Sequence, residues 1–187
     1  MTPPPSHSPG YAAGSGWTPL TPAPARDEGL WTAMVFAVFA IAALGTDIPW
    51  LFAGGPILVF VNYLARARLV YLAGPDRLVV QTLIGRRTLP YVAVRRAEYL
   101  ELGGGLRLMA TFMPGYVVGW VYLGGLGRQL LLGSTDRGPA IRLHTERGTM
   151  IITPHDPVAA LAVLEDHGIS LDAPRRVLRE VRRYRRR

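Results

Sequence analysis

The 187-residue chain has no cysteine, which excludes a disulfide framework, a thiolate metal site and a thiol nucleophile. It has no lysine either: all 21 basic residues are arginine, which reads more as the mark of a GC-rich genome than as a choice of chemistry. Basic charge is also scarce until the end. From Arg175 onward there are eight arginines and one glutamate, a net +7, whereas the preceding residues hold thirteen arginines against twelve acids, a net +1. The isoelectric point near 10.6 thus describes a nearly neutral protein with a basic tail, not a basic fold. Catalytic motifs are missing as well. No H-E-x-x-H, G-x-S-x-G or phosphate-loop pattern occurs, and Gly124-Gly125-Leu126-Gly127 is not followed by Lys-Ser/Thr. His7, His144, His155 and His167 are scattered, and His144 with Glu146 lacks a third partner at ligand spacing. Ser134-Thr135-Asp136 has no histidine nearby in sequence and reads as a turn. The expectation is a protein that is not an enzyme and needs no cofactor or metal. The competing idea, an enzyme acting on a membrane substrate, rests only on His144, His155 and nearby carboxylates.

What the chain has in excess is apolar sequence. Leu30 to Ala65 is a run of thirty-six residues with one charge, Asp47. A single membrane span takes about 20 apolar residues, so the run is too long for one crossing. Punctuation divides it into Leu30–Gly45 and Ile48–Ala65. Gly45 can end a first helix, Thr46 or Asp47 can cap a second, and Pro49 is tolerated in a first turn. A turn there also holds Asp47 at the water interface, avoiding a cost of roughly 2.5–3.5 kcal/mol at the bilayer centre. Residues 30–65 are therefore expected to form a transmembrane helical hairpin. A hairpin buried in a soluble core would show a polar face, and neither segment has one. Gly54-Gly55-Pro56 reads as a kink or a close helix contact.

Arg66 and Arg68 follow the second segment and Arg26 precedes the first, while the connecting turn has no arginine. The positive-inside rule then puts both termini in the cytoplasm of a multi-pass inner (plasma) membrane protein. Residues 1–29 are rich in Pro, Ser and Gly, lack the basic start of a signal peptide, and are expected to be a disordered tail. Leu108–Gly127 is a second uncharged stretch, but Pro114 and five glycines make it a poor helix, and its Tyr, Val and Trp suit strands. A third span there would also send the eight tail arginines outside.

Residues 66–170 read as short strands with turn signals, then a change of period. Strand-like stretches recur from Arg68 to Thr153, and a hairpin is expected around Glu146-Arg147-Gly148. Asp156 then caps a helix that Pro157 opens, with Val158, Leu161, Ala162 and Leu164 on one face and Gly168 at its end. About seven strands followed by one helix outline a small capped barrel or sandwich.

This order resembles the bacterial pleckstrin-homology-like (PH-like) domains of small membrane proteins. "LVYLAGPDRLVVQTLIGRRTLPYVAVRRAEYLE", residues 69–101, is similar to the opening of that family, with its Gly-Arg-Arg turn. "PGYVVGWVYLGGLGRQLLLGSTDRGPAIRLHTERGTMIITPHDPVAALAVL", residues 114–164, is similar to the closing half, which ends in a Pro-x-Asp-Pro helix start. The resemblance implies a membrane-anchored α+β chain whose PH-like bent β-barrel of about seven strands is capped by a C-terminal helix. Its motifs are structural, and they imply an interaction module for protein or lipid.

Two arginine groups are candidate contacts for anionic lipid headgroups. Arg86 and Arg87 are expected in a turn, with Arg95 and Arg96 in the connector that follows. The tail, residues 171–187, carries Arg175, Arg176, Arg179, Arg182, Arg183, Arg185, Arg186 and Arg187. Val177, Val181 and Tyr184 recur there at helical spacing, as in a basic amphipathic helix on an anionic leaflet. Arginine runs also bind nucleic acid phosphates, a partner the sequence favours less. The partners expected are the bilayer, crossed twice, anionic lipid and an unknown protein. The alternative role is that of a subunit in a larger membrane complex.

Overall fold

The computed structural model describes residues 16–24, 28–46, 48–111 and 113–186. The first described element is a short strand, β1 (Thr18–Leu20), after which the chain leaves the domain as a helical hairpin. Helix α1 (Glu28–Thr46) is followed by a 3₁₀ segment, Pro49–Ala53, that runs directly into α2 (Gly54–Arg68). After Leu69 alone the chain enters β2 (Val70–Ala73), then β3 (Arg77–Gln81) and β4 (Arg86–Pro90). These four strands form one antiparallel sheet in the order β1-β2-β3-β4. The hairpin is thus an excursion between two strands that pair with each other, Leu20 standing opposite Tyr71.

The second sheet is built from β5 (Val94–Gly103), β6 (Gly105–Ala110), β7 (Val117–Leu123), β8 (Gly127–Gly133), β9 (Arg137–Thr145), β10 (Gly148–Ile152) and β11 (Ser170–Asp172). Its order is β11-β5-β9-β10-β8-β7-β6. Helix α3 (Pro157–Asp166) precedes β11, and α4 (Arg175–Tyr184) follows it. Strands β5 and β6 are consecutive in sequence yet lie on opposite sides of this sheet. Gly104, at φ +96°, makes the corner between them, a conformation that favours glycine. A corner this tight forces the sheet to roll, so Leu102, Val121, Leu131, Ala140 and Ile151 meet on its inner face.

The main core lies between the sheets and under α3. It includes Tyr71, Leu78 and Val80 from the small sheet, Ile141, Leu143 and Ile152 from the large one, and Leu161 and Leu164 from α3. The buried Tyr71 hydroxyl joins the layers, donating to the Leu132 carbonyl at 2.9 Å and accepting from the Thr153 amide at 3.4 Å. Asp156 caps α3 as its sequence implies, its carboxylate accepting from the Ala159 amide at 2.9 Å.

Several expectations need correction. The β-structure is two open sheets, not a closed barrel. The chain passes from β4 through a 3₁₀ turn, Tyr91–Ala93, into a different sheet, and β4 remains an edge. Among the described residues one helix, residues 29–46, is long and apolar enough to cross a membrane, not two. The other, α2, has 15 residues, short of the ~20 that a bilayer takes. The lead-in expected to be disordered contributes β1, and Ala23 donates to the Thr153 carbonyl at 2.9 Å; residues 1–15 lie outside the described residues. The basic tail is not separate either. Strand β11 pairs with β5, and α4 turns the apolar face formed by Val177 and Val181 into the core, leaving Val181 1% exposed. Residues 108–127 do form strands, as their composition indicates.

The pairing registers give the domain two ends. At one end lie the end of α2, the start of β2, the end of β3 and the start of β4, since Val70 faces Gln81 and Gln81 faces Arg86. Thr21 and Ala23 lie there too, bonded to His155 and Thr153. This is the anchor end. At the other end the β2–β3 turn meets Tyr91, whose amide donates to the Asp76 carbonyl at 3.0 Å, and whose ring stacks on His167 at 4.2 Å.

Burial of Leu20 yields the first test, because a disordered leader would not respond to its truncation. Leu20→Ala is expected to lower stability by about 2–3 kcal/mol, read from urea unfolding of the protein in mild detergent by tryptophan fluorescence.

Candidate functional site

The arginines singled out in the sequence do not come together. Arg86 and Arg87 lie on β4, just after a turn formed by Thr82–Gly85, and both are exposed at the anchor end. Arg95 and Arg96 open β5 at the opposite end, where Val94 pairs with Thr145. Arg95 approaches Glu146 at 3.6 Å, and Arg96 lies 3.2 Å from Asp172 and 3.9 Å from Glu98. In α4, Arg176 approaches Glu180 at 3.3 Å. Arg185 bonds Glu165 at 3.0 Å and Asp166 at 2.6 Å, so the tail ends against the last turn of α3, beside the Tyr91–His167 stack. Arg175, Arg179, Arg182, Arg183 and Arg186 are exposed on or just after α4. Arg187 lies outside the described residues.

These positions change what the tail can do. An amphipathic helix binds a bilayer by burying its apolar face in the interface. In α4 that face is already occupied, by the domain's own core. Charge remains on its outer side, but the insertion that the sequence pattern suggests is spent on folding.

One cluster the sequence did not signal is organised around Glu98. On the face shared by β5 and β9, Glu98 stands opposite Arg142, and Arg96 opposite His144. The Arg142 guanidinium donates to Glu98 Oε2 through Nε at 3.0 Å and Nη2 at 2.6 Å. His144 Nε2 lies 2.7 Å from the same oxygen. Burial of Glu98 opposes its ionisation, but the bonds and charges of His144 and Arg142 outweigh it and hold the carboxyl below its ordinary value. A carboxylate held ionised by two donors is a structural clamp across two strands, poorly suited to taking up a proton in catalysis. His155 is elsewhere, its amide donating to the Thr21 carbonyl at 2.7 Å at the anchor end. Among the described residues no group of three or more His, Cys, Asp or Glu could hold a metal ion.

A family model described as a bacterial PH domain matches residues 69–167. The chain belongs to the bacterial PH domain family. The match begins at Leu69, where α2 ends, and stops at His167, so the PH domain proper excludes β1, the helical hairpin, β11 and α4. No curated protein and no solved structure matches the chain. PH domains are protein and lipid interaction modules, and in this chain a helical excursion precedes the matched residues at one end of the domain.

The Glu98 clamp makes stability depend on pH with a definite sign. A carboxyl whose folded pKa is lowered stabilises fully above its ordinary value of 4.5, and that contribution is lost as pH falls through the lowered folded value. Glu98→Gln should therefore flatten the acid side of the stability profile below about pH 4.5. Urea midpoints of the two proteins across that range measure it.

Proposed function

We propose that this chain is a non-enzymatic integral membrane protein whose two-span helical hairpin holds a cytoplasmic PH domain against the inner membrane, where the domain engages a protein or lipid partner. The observation that carries this reading is the pairing of β1 with β2 across the hairpin. Adjacent strands lie about 4.8 Å apart. The segment between them must leave and return at one place, so it crosses a bilayer an even number of times or not at all.

Surface chemistry favours crossing. Helix α1 exposes Leu30 (74%), Ile41 (71%) and Leu44 (75%), and the returning limb exposes Trp50 (72%), Ile57 (60%) and Phe60 (60%). Scattered exposed apolar residues are ordinary, but a contiguous two-helix surface of this kind calls for lipid or a partner. The 3₁₀ segment lengthens the returning limb despite the shortness of α2. Its five residues at ~2.0 Å and the α-helical residues from Gly54 to Leu64 at ~1.5 Å give about 26 Å, a few ångströms under a ~30 Å hydrocarbon core, a shortfall that local thinning of a bilayer accommodates. Arg66 and Arg68, in the last turn of α2, favour the cytoplasmic side for the domain.

The mechanism is tethering. A domain held at the membrane meets membrane-bound partners at high effective concentration, so weak contacts suffice. A binding role is further supported by the engagement of His144 with Glu98 and Arg96, at the opposite end of the domain from His155. The second reading, a subunit packed into a larger complex through Gly54 and Gly55, is weakened by the hairpin itself. A side chain at Gly54 would collide with Phe39, and one at Gly55 would crowd Phe36, so those glycines already serve the contact between α1 and the returning limb.

Alkaline phosphatase fused after Arg187 is expected to be inactive in cells, and the same enzyme fused in the turn after Thr46 active. Activity at Arg187 overturns the orientation.

A further inference from the structure

The β3–β4 turn joins two features with no evident structural use. Ile84 is 80% exposed and Leu83 43% exposed at its tip. Immediately after it come Arg86 and Arg87, both exposed, with no acidic partner among the described residues. A turn tip ordinarily carries polar residues or glycine, because nothing covers it. This tip is also rigid. Thr82 Oγ1 donates to the Gly85 carbonyl at 2.9 Å, the Thr82 amide donates to the same carbonyl at 2.8 Å, and the Leu83 amide donates to the buried Tyr116 hydroxyl at 2.9 Å. The fold thus fixes two apolar side chains in the open.

Register shows where they stand. Gln81 lies opposite Val70, one residue beyond the end of α2 and Leu69, so Thr82–Gly85 projects past the start of β2 toward the last helical turn. Two residues of extended chain reach about 7 Å. The tip therefore lies at the same end of the sheet as the last turn of α2, with its Arg66 and Arg68, which in a spanning hairpin is the side of the headgroups. On this strand Arg86 and Arg87 point to opposite faces, bracketing the tip with positive charge.

We propose that the β3–β4 turn is a membrane contact: Leu83 and Ile84 insert into the interfacial layer of the leaflet from which the hairpin emerges, and Arg86 and Arg87 bind the phosphates of anionic lipids there. This rests on the hairpin being a membrane anchor, and it assigns the lipid contact to Arg86 and Arg87 rather than to Arg95, Arg96 or Arg185, which the fold carries to the opposite end. Apolar insertion flanked by arginine combines area burial with attraction to an anionic leaflet, each of which is weak alone. The consequence is orientation. With the hairpin as one support and the turn as a second, the domain cannot swing freely, and the sheet edge at β4 is held at the bilayer.

The absence of cysteine makes the test clean, because each single-cysteine variant carries one label. Full-length Ile84→Cys, Val92→Cys and Val38→Cys proteins are labelled with an environment-sensitive fluorophore and reconstituted in phosphatidylcholine liposomes with and without phosphatidylglycerol. Quenching by lipids carrying a nitroxide near the headgroup or deep in the acyl chain is then measured. Val92, 95% exposed beyond the far end of β4, is the matched apolar control. The expected result is headgroup-nitroxide quenching at Ile84 several-fold above that at Val92, reduced in liposomes lacking phosphatidylglycerol and in the Arg86→Gln, Arg87→Gln background. Deep quenching at Val38, exposed at the middle of α1, reports the anchor independently. Quenching at Val38 with Ile84 no different from Val92 overturns the turn contact and leaves the anchor standing, whereas no quenching at Val38 overturns the anchor itself. Quenching at Ile84 that ignores both phosphatidylglycerol and the two arginines overturns the headgroup assignment.

Discussion

The pairing of β1 with β2 is the constraint on which the architecture turns. Only three residues of β1 take part, yet they close a loop of about fifty residues and fix both of its feet. One foot is held by Ala23 bonding Thr153, the other by Ala65 and Leu69 buried in the domain core. A linker that merely led into the domain would leave the helices free to choose any path. Here the helical excursion starts and finishes at one end of one sheet, with a single residue between α2 and β2. The domain is therefore mounted on its hairpin, not suspended from it.

That mounting sorts the protein's charge. The sequence suggests one basic region, the tail, and two smaller arginine pairs. In the structure the arginines divide by position and by partner. Three at the far end are engaged, Arg185 with Glu165 and Asp166, Arg96 with Asp172 and Arg95 near Glu146, while Arg182, Arg183 and Arg186 stay exposed on or just after α4. Exposed ion pairs such as these add little stability, typically well under 1 kcal/mol each, but they hold the long side chains against their own domain. The burial of Val181 does more, since it converts a helix that looks amphipathic for lipid into one amphipathic for protein.

Local signals in the sequence were sufficient for the elements they govern. Asp156-Pro157 fixed the start of α3, and Gly168, at φ +78°, its end. Five glycines and Pro114 were enough to reject a helix at 108–127. Interactions between distant residues were not legible. Thr18–Leu20 looks like any proline-flanked linker until β2 is beside it, because a three-residue strand has no periodicity of its own. Glu98 is more than forty residues from Arg142 and His144, and only the register of β5 against β9 makes it their neighbour. The expectation of a barrel of about seven strands failed for a similar reason: alternation is a sequence property, while the division into eleven strands among the described residues and the transfer at Tyr91–Ala93 to a second sheet depend on how the strands pack. Nothing marks Leu83 and Ile84 in the sequence, since exposure at a turn tip is visible only once the turn is built.

The family to which the domain belongs supplies a scaffold, and the residues outside the family match supply its circumstances. The match spans 69–167, while β1, the helical limbs, β11 and α4 all lie beyond it. Two of these additions, β11 and α4, enlarge the hydrophobic core of a small domain, where burial per residue is limited by size. The other two would, in the proposed anchoring, determine orientation. For a freely diffusing module, a weak affinity for a headgroup would leave most molecules unbound. For a module whose anchor already lies in the same leaflet, the entropy of bringing the surfaces together has largely been met, and a few apolar contacts plus two arginines decide the angle at which it stands. Under the proposed anchoring, partner choice becomes geometric: the edge near β4 lies toward the bilayer and the Tyr91–His167 end away from it. A protein partner arriving from solution would then meet the far end first, with its ion-paired Arg95, Arg96 and Arg185.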